Sequence, residues 1–191
     1  VILKRPGYDH QYFIFTLGQR EDYGATNAVP LKYSIVDMSL NGGLGQITSK
    51  NVPLTSNATE RVTIVKSKNA DGSWAGGYWV ITHEWNSNHF LAWAIGSDGS
   101  VSSSPVSSSA GGINVIYNTG GVGDQAGYLK ASLSVDSPLL AMAIENYNND
   151  GKWEHWGYVE VYYFDNTAAG LTSTSGAVTK RKAGFISNLS Y

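Results

Sequence analysis

Along this chain hydrophobic and polar positions alternate with a period of two, in short runs separated by clusters of Gly, Asn, Asp and Ser. No segment sustains the 3.6-residue spacing of an amphipathic helix, so the pattern predicts strands and turns throughout. The runs fall into series. "QYFIFTLG" (11–18), "GYWVITHEW" (77–85) and "LLAMAIENY" (139–147) are alike, and so are "LKYSIVDMSL" (31–40), "HFLAWAIGSDG" (89–99) and "YVEVYYFDN" (158–166). A short strand precedes each member of the first series: "VILKRP", "RVTIVKSKN" and "GYLKASLS". A weaker one follows each member of the second: "KNVPLTS", "VSSSPVSSS" and "SGAVTK".

The period is roughly 60 residues per four-strand unit, and self-similarity at such spacing marks stacked or radial β repeats. A four-stranded antiparallel unit that is apolar on both faces cannot bury them alone; arranging units around an axis does so. The expected fold is therefore all-β, a partial β-propeller, with a β-sandwich of similar strand count as the alternative. The expected blades are 1–56, 61–107 and 127–180, with "GFISNLSY" (183–191) the start of another. Since a propeller takes about four to eight blades, the remaining blades are expected from a parent chain or a partner. The opening "VILKRPG" reads as a strand, as in a chain processed or cut from something longer.

Composition narrows the classes. The 191 residues are 42% hydrophobic and only 15% charged, with 22 Gly, which suits a β-rich domain with many tight turns. A net charge of −2 supplies no field for nucleic acid or an anionic membrane. The lack of cysteine excludes disulfides and thiolate metal sites. No apolar run is long enough to cross a bilayer as a helix, so no membrane insertion is expected.

Candidate chemistry begins with His83, Glu84 and His89. Alternation on a strand puts Trp79, Ile81, His83 and Trp85 on one face and Val80, Thr82 and Glu84 on the other. His83 and Glu84 thus cannot ligate one metal, and His83 is expected to serve structure through a hydrogen bond between blades. His89 is placed to face His83 or Glu84 across a tight turn, and two ligands without a third make a weak metal site. "ENYNNDGKWEHW" (145–156) offers oxygen ligands from Glu145, Asp150 and Glu154, but its spacing does not match a calcium loop. No cofactor is expected; Ca²⁺ is possible there and is not predicted. "SSSPVSSSAGG" (102–112) and "KRK" (180–182) read as solvated surface, and "TGGVGDQAG" (119–127) lacks the residues of a phosphate loop.

Geometry points elsewhere. The connections between second and third strands (18–30, 85–89, 147–157) should open on one face, joined by the long connection 107–126. They carry Tyr23, Trp85, Asn86, Asn88, Tyr117, Tyr147, Trp153 and Trp156, the candidate binding residues. Aromatic and amide side chains on loops of a rigid scaffold suit glycan or protein recognition. The alternative is that these aromatics plug gaps between blades.

"YSIVDMSLNGGLGQITSKNVPL", "ATERVTIVKSKN" and "GYWVITHEWNSNHFLAWAI" resemble the propeller region of large secreted Bacteroidetes proteins. Those are cargo of the type IX secretion system, often termed gliding-motility-associated. The resemblance implies a propeller, export to the medium or cell surface, and a larger parent protein. It brings no catalytic residues. Three functions are carried forward: a non-catalytic binding or adhesion module, a lactonase-like or glycan-cleaving propeller enzyme, and a purely structural element of a surface assembly. Lys66, Lys68 and Lys130 on the expected inner strands argue against the acidic funnel of a metal-dependent propeller enzyme.

Overall fold

The computed structural model describes residues 1–18, 28–111, 127–147, 155–170 and 173–180. Among them there is no α-helix, only a single 3-10 turn at Asn41–Gly43. The described residues form eleven strands: β1 (Ile2–Lys4), β2 (Gln11–Leu17), β3 (Val29–Asp37), β4 (Gln46–Lys68), β5 (Trp74–Glu84), β6 (His89–Ile95), β7 (Val106–Ser109), β8 (Leu129–Ala131), β9 (Leu139–Tyr147), β10 (His155–Phe164) and β11 (Val178–Lys180). All within-sheet pairs are antiparallel, in a seven-stranded meander β1 to β7 and a four-stranded sheet ordered β11-β10-β9-β8. The expected second and third strands of every repeat are found, as β2/β3, β5/β6 and β9/β10.

One expectation is corrected. Strands "KNVPLTS" and "RVTIVKSKN" were to be separate, giving three sheets, but the chain runs through both as β4, which is 23 residues long. The stretch "NATE" (57–60) between them contains no Gly or Pro to turn the chain, so it stays extended. β4 changes partner midway. Its first half lies on β3, its second on β5, and Ala58 pairs with both Val29 and Glu84. The left-handed Asn51 (φ 54°) and several register shifts on the β3 side bend it.

The larger sheet thus holds two four-strand units that share β4, and the smaller sheet is a third. The middle unit is covered on both faces. Val80, Leu91, Trp93 and Ile95 pack against Phe13, Phe15, Val29, Leu31 and Ile35 of the first unit. On the other face Trp79, Ile81, Phe90 and Ala92 pack against Leu140, Met142, Ile144, Tyr162 and Phe164 of the third. Alternation dictates this, because odd and even positions of β5 and β6 point to opposite sides. Each fully buried side chain of this kind contributes on the order of 1.5–3 kcal/mol.

Like edges of the second and third units meet: β4 lies beside β8 and β7 beside β11. Asn166, fully buried, ties the units at one end, its Nδ2 donating to Lys66 O and Val135 O, both at 2.7 Å. Lys68 N donates to Asn166 O and Ala168 N to Lys68 O, both at 2.9 Å. At the outer edge Val178 N donates to Ser108 Oγ at 2.9 Å. Gly176 (φ 82°) closes the β10–β11 turn against Trp79, where a Cβ would come within 2.6 Å of the indole.

Four turns repeat one device. Asp37, Asp71, Asp98 and Asp165 each accept from both the amide and the hydroxyl of the residue two positions on: Ser39, Ser73, Ser100 and Thr167. Three of them, Asp37, Asp98 and Asp165, sit at or just past the ends of β3, β6 and β10, the third strands of successive units. The hydroxyl and amide bonds of Ser39, Ser73 and Ser100 hold the carboxylates of Asp37, Asp71 and Asp98 below the ordinary range. At Asp165 burial pushes upward, and the bonds from Thr167 and Thr174 outweigh it.

Candidate functional site

The partner switch at Ala58 brings two strand ends together. Val29, where β3 begins, and Glu84, where β5 ends, flank the same residue of β4. The β5–β6 turn is fixed there by backbone and side chain alike. Trp85 N donates to Asn57 O at 3.1 Å, and Ala110 N to Asn88 O at 2.9 Å. Ser87 Oγ donates to Glu84 O at 3.2 Å and accepts from His89 N at 3.0 Å. Asn86 occupies the left-handed region (φ 51°), which asparagine tolerates better than other side chains.

Glu84 is the centre of this turn. One carboxylate oxygen lies 2.9 Å from His89 Nδ1, and the other accepts from Asn57 Nδ2 at 3.2 Å. Both members of the pair are partly open to solvent, at 42% for His89 and 26% for Glu84. A carboxylate on Nδ1 of a neutral imidazole selects the tautomer that leaves Nε2 as an acceptor. The pair can therefore accept a hydrogen bond from a donor at Nε2. His89 faces Glu84, one of the two partners expected for it.

Beneath the turn, between the second and third units, lies a buried polar layer of Thr59, Arg61, His83, Glu160 and Tyr162. Thr59 Oγ1 donates to His83 O at 3.2 Å, and Tyr162 donates its hydroxyl to the Glu160 carboxylate. The His83 ring stands edge-on to Phe90, centroids 4.9 Å apart and planes at 90°. Burial, and then the Arg61 guanidinium, pull the His83 pKa from 6.5 down to about 4. His83 is neutral at pH 7. It is part of the packing between units, on the opposite side of β5 from Glu84.

Of the residues expected on the loop face, Trp85, Asn86 and Asn88 come together on this turn, Asn86 exposed and the other two half-buried. Tyr147 and Trp156 close the β9–β10 hairpin in backbone register with His155 and Asn146. Tyr23, Tyr117 and Trp153 lie outside the described residues, as do the 183–191 segment and Asp150 and Glu154. The sequence did not single out Asn57, Arg61 or Glu160. A lone Asn within a strand and two charges remote from each other carry no local signal.

Among the described residues no three His, Cys, Asp or Glu gather as a metal site, and no helix is long and apolar enough to cross a membrane. Of the inner-strand lysines, Lys68 is held by Asp136, through its carboxylate at 3.8 Å and its backbone carbonyl. Lys66 and Lys130 are exposed. No protein-family model, curated protein or solved structure matches this chain.

Proposed function

We propose that this chain is an arc of three β-propeller blades and acts as a non-catalytic binding or adhesion module of a larger secreted or cell-surface protein. A glycan or protein ligand is met by the end of the scaffold that carries the 84–89 turn. The observation that carries this reading is the turn itself. Trp85, Asn86 and Asn88 are set on a loop whose backbone and acidic centre are fixed by bonds to Asn57, Ser87 and His89. Loops ordered before binding lose little entropy when a ligand arrives. The propeller reading is supported by a middle unit buried on both faces and by alignment of inner with inner and outer with outer strands. The remaining blades would come from a parent chain or partner.

The test is a screen of the purified chain against immobilised surface glycans and extracellular proteins, repeated with Trp85→Ala and Asn88→Ala. Loss of the bound ligand in both variants, with unchanged melting, is expected. Full retention in both contradicts the assignment of the site.

The Glu84–His89 pair gives the enzyme reading its one favourable feature, an imidazole oriented by a carboxylate. On the binding reading, His89→Gln abolishes no turnover of lactone, ester or glycoside substrates by the wild-type chain. A hydrolase activity lost with that change would overturn it.

A further inference from the structure

Trp74 begins β5, at the opposite end of that strand from Glu84. Trp79 and Trp93 are buried, whereas Trp74 is 50% exposed. Its exposure is not looseness. The indole Nε1 donates to Gly77 O at 3.1 Å, and the ring meets Tyr78 edge-on at 5.8 Å and 64°. The hairpin beneath it is locked: Asn69 N donates to Ser73 O at 2.8 Å, Asn69 Nδ2 to Ser73 Oγ at 3.0 Å, and Asp71 holds Ser73 through amide and hydroxyl.

Lys66 stands cross-strand from Tyr78, and its Nζ lies 5.3 Å from the Trp74 ring centroid. Two residues further on, Lys68 is tied to Asp136, but among the described residues no carboxylate pairs with Lys66. An exposed ammonium thus lies over the ring of an exposed indole, at cation–π distance, from where the flexible lysine can turn to a ligand's carboxylate when a sugar takes its place on the ring. Trp74 has spent its only polar hydrogen on Gly77, so the ring can offer a ligand only apolar surface.

We infer that Trp74, Tyr78 and Lys66 form a second binding site, specific for an acidic saccharide of the uronic-acid class. The apolar C–H face of a pyranose stacks on an indole, and the C5 carboxylate at its edge meets the neighbouring ammonium. A neutral sugar keeps the stacking and loses the ion pair. An acidic peptide keeps the charge and lacks the flat C–H face. The site is separate from the 84–89 turn and stands or falls apart from it.

The probe is an oligogalacturonate of defined length, with the neutral galacto-oligosaccharide of the same length as comparator. Binding to the full chain is followed by calorimetry and tryptophan emission. Saturable binding is expected, about tenfold tighter for the acidic oligomer and weakening as salt rises. Trp74→Ala should abolish it, Trp74→Phe should retain part of it, and Lys66→Met should bring the two oligomers to equal affinity and remove the salt dependence. Asn88→Ala should leave it intact, which separates this site from the turn. Melting curves of the Trp74 variants check the fold, and Trp74→Phe keeps the test alive if Trp74→Ala unfolds. No saturable binding, binding indifferent to both Trp74 changes, or equal wild-type affinity for the two oligomers would each overturn the assignment.

Discussion

His83 is buried on the face of β5 that also carries Trp79 and Ile81, edge-on to Phe90, in a layer with Arg61 and Glu160. Its folded pKa of about 4 lies below the ordinary 6.5, so the unfolded chain takes up the proton first. The resulting stability is fully present above pH 6.5, is lost as pH falls toward 4, and changes little below that. The loss is on the order of 3 kcal/mol. His83→Leu should flatten thermal stability across that window, and an equally steep fall in the variant would refute the assignment. His83→Ala, which also opens a cavity beside Phe90, should lower unfolding free energy by about 2–3 kcal/mol in denaturant titrations.

Among the elements, the strand–turn–strand cores were legible because Phe13/Phe15, Trp79/Ile81 and Leu140/Met142 alternate cleanly with residues of the opposite face. The run-through at β4 was not, since extended residues without a breaker look alike whether or not the strand changes partner. The Asp turns were written in the sequence as D-x-S or D-x-T at 37, 71, 98 and 165, but their meaning needs the paired bonds to be seen. Asp165 bonds both Thr167 and Thr174, so Asp165→Ala should cost about 1–2 kcal/mol. Asp71→Ala, at a fully exposed turn, should cost visibly less; the reverse order in paired melts would contradict the geometry. The lowered carboxylate pKa values add stability that is present above pH 3.8 and lost as pH falls through the folded values. That acid transition lies below the His83 window. Gly176→Ala is expected to be severely destabilising, because both its left-handed backbone and the Trp79 ring oppose a Cβ.

At the scale of the molecule, the middle unit alone has both faces covered among the described residues. The outward face of the first unit carries Ile2, Tyr12, Ile14 and Val36, with Ile2 69% exposed. That of the third carries Leu139, Ala141, Ala143, Val159, Val161 and Tyr163, with Tyr163 48% exposed. Inside the chain such faces are covered by a neighbouring unit, and contiguous apolar surfaces left open promote association. The repeat pattern names no occupant for these two faces, because the stacking rule is the same for any further unit. Sedimentation velocity of the isolated chain over a series of concentrations tests the three-unit arc most directly. Association that rises with concentration and weakens when Val161→Glu is introduced on the open face is the predicted result. A stable monomer at every concentration, with one cooperative melt and no response to Val161→Glu, would contradict it.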